Sequence, residues 1–348
     1  MRADAAPGPP GLEPNARRGW VLGLTVLAVC VPILVAAAVL AVRGWTPVGE
    51  FAQAELRIRD FWDHPPTLGA VGRLRTDTDV SSHPGPALWW LAYPFYAIGG
   101  RGAVALSTAV AASACVWITA ALGVVWRRAG DVLTVLLGAA MLVLVAGLGP
   151  SVFVEPWNPW FALMAFVAML VAVWAVGDGS RWSLLLATAA GTYCVQAHMG
   201  YAPIVSLLGL LALFGMWRSG PRSDGAWRPL LWPLGASGLL ALAMWLPPIV
   251  EQLTGDPGNI GILLSAYGAA RGTEAELGLT GAVKLVSAYL DPRAGALLLG
   301  DGVPTARGPS LVTALFAAVW VLAAVVAGRR RDVAGMRGAI RLQVVVVA

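Results

Sequence analysis

Long apolar segments without charged residues constrain this sequence more than any other feature. A helix needs about 20 residues to cross roughly 30 Å of hydrocarbon. Six uncharged segments have that length, and they cover residues 20–42, 102–126, 132–154, 156–177, 229–250 and 308–328. Hydrophobic residues make up 58% of the chain and charged residues 12%, so the chain has more apolar surface than one water-soluble core can bury. This excludes soluble enzymes and soluble nucleic-acid-binding domains.

The uncharged stretch 182–217 predicts two further spans. As a single helix rising about 1.5 Å per residue, it would be far longer than the membrane is thick. We place the break at 196–200, because Gln196 and His198 would be costly at the bilayer centre and Pro203 follows them. The fold class predicted is therefore all-α: a polytopic membrane helix bundle of about eight spans, with an outer juxtamembrane helix and outer loops.

The segment 84–99 decides the sidedness of everything after it. Its apolar core is short, and its aromatic residues Trp89, Trp90, Tyr93 and Tyr96 are types favoured at the membrane boundary, so we predict an interfacial or re-entrant helix. If it does not cross, the arginine groups at 17–18, 127–128, 181, 218–228 and 329–331 share one side. The positive-inside rule identifies that side as the cytoplasm. We thus expect a multi-pass protein of the cell (plasma) membrane with a cytoplasmic N-terminus.

The two ends of the chain give the remaining domain boundaries. Residues 1–19 are rich in Pro and Gly and are predicted to form a disordered cytoplasmic tail, and 20–348 the transmembrane domain with outer loops 43–101 and 251–307. The apolar run 342–348 is too short to span, which favours a ninth helix in a longer parent protein, hence a C-terminal truncation, over a tail lying on the membrane. The arginines behind the net charge of +5 do not form one surface, so no nucleic-acid partner is expected.

The first outer loop holds most of the candidate functional residues. Its charged and histidine residues lie within 34 positions: Glu50, Glu55, Arg57, Arg59, Asp60, Asp63, His64, Arg73, Arg75, Asp77, Asp79 and His83. A short helix from Glu50 would bring Glu50 and Glu55 within two turns of each other near the headgroups. Two such carboxylates suit acid–base catalysis or cation binding. The alternative is a loop that is charged only to remain solvated.

All three histidines of the chain fall on the outer face in this topology. His64 and His83 each precede a proline, which a structural turn would explain. With the nearby aspartates they could also bind a divalent metal, although no ligand spacing is diagnostic. A divalent metal is therefore the one possible cofactor that the sequence suggests.

Two short outer turns contain further polar candidates. Glu155 and Asn158 lie at a helix start, where Asn158 can cap the helix and neighbouring tryptophans can anchor it. Glu155 could instead contact a sugar hydroxyl. Gln196 and His198 lie in a hairpin close to membrane depth, where a polar pair is expensive unless it is satisfied within the protein or used for function.

The order of these parts resembles the GT-C superfamily of integral-membrane glycosyltransferases, particularly its protein mannosyltransferase-like and lipid A aminoarabinose transferase-like members. The resemblance covers about residues 17–180. A first span is followed by an acidic outer loop with Glu50 and Glu55, then by the His83-Pro84-Gly85-Pro86 element and an aromatic juxtamembrane helix. In that family an early-loop carboxylate acts as catalytic base or positions the acceptor and any metal. Glu50 matches it best, but Gly49 stands where the family often has a second acid, so Glu50 and Glu55 both stay open.

The resemblance implies transfer of a sugar from a polyprenyl-phosphate donor to a cell-envelope acceptor at the outer face. Glu50 would be the base, with Glu55 or Asp60 assisting, and Arg57, Arg59, Arg73 and Arg75 would supply positive charge for the donor phosphate. The other predicted substrate-binding residues are His64, His83, Glu155, Asn158, Gln196 and His198. Membrane lipids are expected around the bundle, and the donor tail is expected in a groove between helices.

Two other classes of protein compete with this interpretation. A transporter or lipid-handling protein would also have many spans, but ionisable residues in mid-helix and inverted repeats, which are typical of transporters, are not evident. A noncatalytic scaffold for envelope enzymes is the third possibility.

The second outer loop is predicted to form a lid. Residues 260–270 and 277–290 carry apolar residues at roughly helical spacing, as expected of helices lying on a membrane. We expect them to cover the first-loop carboxylates and to exclude water during transfer. An ordinary packed loop is the alternative.

Overall fold

The computed structural model describes residues 19–76, 79–219, 228–270 and 278–290, with Ala318 alone beyond them. Outside these residues lie 1–18 of the predicted tail, all of the predicted span 308–328 except Ala318, the final run 342–348, and the parts 271–277 and 291–307 of the second outer loop. The described α-helices are α1 (Gly19–Val42), α2 (Glu50–Arg59), α3 (Ala87–Ile98), α4 (Ala103–Leu148), α5 (Asn158–Gly177), α6 (Ser183–Ala197), α7 (Ala202–Ser219), α8 (Arg228–Thr254), α9 (Asn259–Ala270) and α10 (Gly278–Leu290). Two strands, β1 (Val71–Arg75) and β2 (Val80–Ser82), and two 3₁₀ turns, Pro150–Phe153 and Met199–Tyr201, complete them.

Five helices of the described chain are long and apolar enough to cross a membrane. They are α1, α4, α5 and the helices over Met199–Arg218 and Leu230–Thr254. The predicted all-α fold of a membrane protein agrees with this architecture. The count of eight spans stays a prediction, since α6 has only 15 residues and the last predicted span is outside the described residues.

Helix α4 consists of two antiparallel limbs. Its 46 residues would extend about 69 Å as one straight helix. Gly130 breaks it with φ 79° and ψ −171°. The limb before Gly130 begins beside Tyr96, whose hydroxyl accepts a hydrogen bond from the Gly102 amide, and it ends at Arg128, which pairs with Asp178 at 2.9 Å. The two limbs correspond to the predicted spans 102–126 and 132–154, but the second helix ends at Leu148, because Gly149 (φ 85°) and Pro150 stop it.

The long helices run between two ends of the bundle. At one end, which we call the arginine end, residues 126–131 meet residues 177–182, and Gly215 packs against Gly177. At the other, which we call the loop end, Asn158 donates a hydrogen bond to the Ala197 carbonyl. Helix α5 is central, since 67% of its apolar window is buried, against 22% or less in the other four. Small residues such as Ala165 and Ala168 on α5 allow its neighbours to approach closely.

The loop end carries a layer of short elements, and the sequence predicted two of them. Helix α2 starts at Glu50, as expected, and α3 has 12 residues, about 18 Å, which is too short to cross a membrane. The antiparallel β1–β2 hairpin was not predicted. The pairing continues past β2, because the backbone amide of His83 donates to the Ala70 carbonyl and the backbone carbonyl of His83 accepts from the Gly69 amide.

Candidate functional site

A cavity of about 480 Å³ opens at the loop end between α2, the hairpin, α5, α9 and the α6–α7 turn. It is lined by Glu50, Val71, Gly72, Arg73, Leu74, Ser81, Ser82, His83, Trp157, Asn158, Pro159, His198, Met199 and Leu263. A small neighbouring cavity of about 30 Å³ shares Glu50, Val71, Trp157 and Asn158 with it. The structure therefore collects predicted site residues from three separate parts of the chain into one place.

Helix α2 presents one face to this site. Glu50, Gln53, Ala54 and Arg57 all line the small cavity, and their spacing of i, i+3, i+4 and i+7 places them on one side of a helix. Glu50 is the first residue of α2 and is exposed. A carboxylate in the first helical turn interacts favourably with the helix dipole. Because Glu50 is also exposed, its carboxylate is accessible beside the cavity.

Glu55 lies elsewhere on α2 and is held by two other side chains. Its Oε2 accepts a hydrogen bond from Arg59 at 2.8 Å, and its Oε1 accepts one from the Tyr96 hydroxyl at 3.0 Å. These contacts connect α2 to α3. Asp60 and His64 are exposed beyond the end of α2, and neither they nor Glu55 lines the two cavities. This geometry favours Glu50 over Glu55 as a base.

Two predicted arginines face the cavities. Arg57 lines the small cavity and is half-buried, and burial lowers its pKa below the usual range. Among the described residues it forms no ion pair, in contrast to Arg59, which pairs with Glu55. Arg73 extends from β1 and lines the larger cavity. The side chain of Arg75 lies outside what the structure describes.

His83 and His198 lie side by side at the cavity wall. Their ring centroids are 4.7 Å apart and the ring planes are inclined by 33°. The Met199 amide donates to His83 Nδ1 at 3.3 Å, and the Gly200 amide donates to His198 Nδ1 at 3.1 Å. Burial and the neighbouring His198 lower the pKa of His83 to about 4, and burial also lowers the pKa of His198. Both imidazoles are therefore uncharged at neutral pH.

The polar residues of the short turns have different roles. The sequence suggested that Asn158 caps α5, but its side chain forms no such cap. It donates instead to the Ala197 carbonyl at the end of α6. Gln196 is fully buried, accepts from the Ala87 amide at 3.1 Å and donates to the Met244 carbonyl at 2.8 Å. Gln196 thus joins α3, α6 and α8 behind the cavity. Burial raises the pKa of Glu155, which lies beside the lining residues but does not line the cavities.

The described residues do not form a ready metal site. No three or more His, Cys, Asp or Glu side chains among them are close enough together to hold an ion. The divalent metal suggested by the sequence therefore stays a hypothesis without a ligand set in the part of the chain that the structure describes.

Trp157 is the main site residue that the sequence interpretation did not select. It lines both cavities and packs edge-to-face against Trp160, with ring centroids 4.8 Å apart. From the sequence, Trp157 was predicted to be a membrane anchor. Only its position between two polar candidates, Glu155 and Asn158, pointed to the site.

Comparison with protein-family models, curated proteins and solved structures finds no match to this chain. The GT-C resemblance therefore rests on the order of sequence motifs alone.

Proposed function

We propose that this protein transfers a sugar from a polyprenyl-phosphate donor to a cell-envelope acceptor, and that the transfer takes place in the cavity at the loop end. One observation carries the proposal: a single cavity system brings together the exposed carboxylate of Glu50, the guanidinium groups of Arg57 and Arg73, and two imidazoles. Sugar transfer from a phosphate requires a carboxylate that can take a proton, and nearby cationic and neutral hydrogen-bond donors that can hold the phosphate.

The chemistry assigns one role to each kind of group. Glu50 takes the proton of the acceptor hydroxyl as that oxygen bonds to the anomeric carbon. The bond from this carbon to the phosphate oxygen breaks, and the phosphate leaves with the electron pair. Arg57 and Arg73 compensate its charge. Because Arg57 is half-buried without an ion pair among the described residues, an anionic ligand would supply the missing charge.

The helix layer supplies a place for the donor's lipid tail. A cavity of about 370 Å³ between α5, α6, α7 and α8 is lined by aliphatic and small residues that include Gly191, Gly209 and Gly238. A cavity of this size and lining suits part of a branched hydrocarbon chain. The phosphate end of the same donor would then lie at the membrane boundary.

The distribution of arginines orients the bundle in the proposal. Arg127, Arg128, Arg181 and Arg218 lie in the residues that form the arginine end or in the helix that reaches it. The positive-inside rule makes that end cytoplasmic and the loop end external. The site would thus face the compartment that contains the envelope acceptor.

Cysteine labelling in intact cells tests this orientation. On a background with alanine at positions 30, 115 and 194, a membrane-impermeant thiol reagent should label Trp62→Cys and leave Trp182→Cys unlabelled until the cells are opened. Both residues are exposed, with 71% and 61% of their surface accessible, so accessibility within the protein is matched. Labelling only at position 182 in intact cells would reverse the orientation.

The transporter, lipid-handling and scaffold alternatives predict a different use of the same fold. In the described spanning helices, charged side chains lie near the helix ends or beside Gly130. A transport pathway usually places them in mid-membrane. This observation favours chemistry at the boundary over passage through the bundle.

The test compares Glu50→Gln with the matched variant Glu55→Gln. Glu50→Gln keeps the shape and removes the basicity, so transfer from a polyprenyl-phosphate sugar in membranes should fall by about 10²-fold or more. Glu55→Gln should retain most of the transfer activity, because Glu55 lies outside the cavity. Lipid-linked sugar should accumulate when the gene is deleted. Full activity of Glu50→Gln would remove Glu50 from the mechanism, and the absence of any sugar transfer by the wild-type protein would reject the proposed function.

A further inference from the structure

Two consecutive backbone amides fix the two cavity histidines. The Met199 amide donates to His83 Nδ1, and the next amide, that of Gly200, donates to His198 Nδ1. Both amides belong to the turn Met199–Tyr201, which joins α6 to α7. Gly200 leaves room for this arrangement, since a Cβ at that position would lie 2.8 Å from the His198 ring. One tight turn therefore orients both imidazoles.

These hydrogen bonds determine where each ring carries its proton. A ring nitrogen that accepts a hydrogen bond has no hydrogen of its own, so the proton of the neutral ring is on Nε2. Each histidine then offers one N–H donor and cannot accept a proton at Nε2. Neither histidine can act as the base for an acceptor hydroxyl in this state, which leaves that role to Glu50.

The surroundings suit an uncharged pair that binds an anion. His83 is 9% exposed, and two imidazolium rings 4.7 Å apart would repel each other. The charged groups that line the same cavity are Glu50 and Arg73. Arg73 supplies the positive charge, and the two rings add directional donors without adding charge.

We infer that His83 and His198 bind the phosphoryl oxygens of the donor as a pair of neutral Nε2–H donors. Two neighbouring donors are matched by two non-bridging oxygens on one phosphorus atom, because an ionised phosphate accepts hydrogen bonds at both oxygens and donates none. This inference rests on the proposed function, because it assigns the phosphate half of the substrate to these two residues and the acceptor half to Glu50.

Paired substitutions test the inference with matched shapes. In Gln the side-chain amide nitrogen takes approximately the place of imidazole Nε2, and in Asn the place of Nδ1. We expect His83→Gln and His198→Gln to bind polyprenyl phosphate within about threefold of the wild-type affinity, whereas His83→Asn and His198→Asn should bind it about tenfold or more weakly. If at each position the Asn variant binds as tightly as the Gln variant, or more tightly, the inference is wrong.

The ligands used in the binding experiment separate the possible sources of the signal. The arms are polyprenyl phosphate, the matching polyprenol without phosphate, and inorganic phosphate. The difference between the Gln and Asn variants should be present with both phosphates and absent with the polyprenol. A difference of equal size with the polyprenol would show a disturbed tail site and would overturn the inference.

A measurement on the wild-type protein is independent of how well the variants fold. Nitrogen-15 NMR of histidine-labelled protein in detergent at neutral pH should show His83 and His198 protonated at Nε2 only. Protonation at Nδ1 in either residue would overturn the inference while leaving Glu50 and the transfer reaction untouched. Wild-type protein that binds no polyprenyl phosphate would overturn both proposals.

Discussion

The side chain of Asn259 pairs with the backbone of Ser82, 177 residues away in the chain. The Ser82 amide donates to Asn259 Oδ1 at 2.7 Å, and Asn259 Nδ2 donates to the Ser82 carbonyl at 2.9 Å. The Asn259 amide in turn donates to both carboxylate oxygens of Glu251, at 3.2 Å each. The start of α9 is therefore fastened to strand β2, next to His83, and Leu263 one turn further on lines the cavity.

This attachment predicts the effect of removing the side-chain amide of Asn259. Asn259→Ala loses both hydrogen bonds to Ser82, which should lower the local stability of α9 and β2 by about 1–3 kcal/mol. Hydrogen exchange should then speed up at the Ser82 amide and along α9. Leu264→Ala is the matched control on the same helix, since Leu264 is 67% exposed and should leave the Ser82 amide protected. Unchanged exchange in Asn259→Ala would show that packing alone holds α9.

The sequence-based lid is only partly described by this structure. Helices α9 and α10 occupy the two segments that were predicted to be helical. α9 is a wall of the cavity that several hydrogen bonds hold in place, while residues 271–277 lie outside the described chain. The movement of this region on donor binding stays a prediction.

Features that depend on neighbouring residues could be predicted from the sequence, whereas features that depend on contacts between residues far apart in the chain could not. The break near His198 follows from a local signal, polar residues inside a long apolar stretch, and α2 begins at Glu50, just past the first span, as predicted. The hairpin could not be predicted, because Gly72, Arg73 and Ser81 give weak strand signals and the pairing of His83 with Gly69 and Ala70 is a tertiary contact. The burial of Gln196 against Ala87 and Met244 likewise joins residues 109 and 48 positions away.

Glu55 and Tyr96 form an anchor whose loss should affect stability more than chemistry. Their hydrogen bond is 3.0 Å long, and the Tyr96 side chain is fully buried. Glu55→Leu, which has no acceptor for the Tyr96 hydroxyl, and Tyr96→Phe should each lower the free energy of unfolding by about 1–2 kcal/mol. The double variant should lose less than the sum of the two, because both changes remove the same contact.

Thermal unfolding in detergent measures this double-mutant cycle. Glu50→Gln is the control on the same helix, and it should unfold at the wild-type temperature because Glu50 is exposed. Strictly additive losses at positions 55 and 96 would mean that the hydrogen bond contributes no coupling energy.

The depressed pKa of His83 predicts a loss of stability in acid. The folded-state pKa is about 4 because of burial and His198, while an unfolded histidine titrates near 6.5. Between these values the unfolded chain binds more protons, so stability is fully present above pH 6.5 and decreases as the pH falls towards 4, by up to roughly 3 kcal/mol. Thermal unfolding of the wild type between pH 7.5 and 4.5 should show this decline.

Two variants assign the decline to one residue. His83→Gln removes the titrating group, so its unfolding temperature should change less over the same pH range. His64→Gln should follow the wild type, because His64 is exposed. If His83→Gln and the wild type lose stability in parallel, another group is responsible.

Gly130 should be far less tolerant of alanine than another glycine of the same helix. Its φ of 79° and ψ of −171° lie in a region that is open almost only to glycine, and a Cβ there costs about 1–3 kcal/mol. Gly123 has helical neighbours on both sides and no atom within 4 Å of an added Cβ, so Gly123→Ala should be neutral or stabilise the helix by up to about 1 kcal/mol. In detergent, the unfolding temperature should thus fall for Gly130→Ala and should rise or stay unchanged for Gly123→Ala. Equal stability of the two variants would mean that α4 does not reverse at Gly130, and the division into a loop end and an arginine end would have to be redrawn.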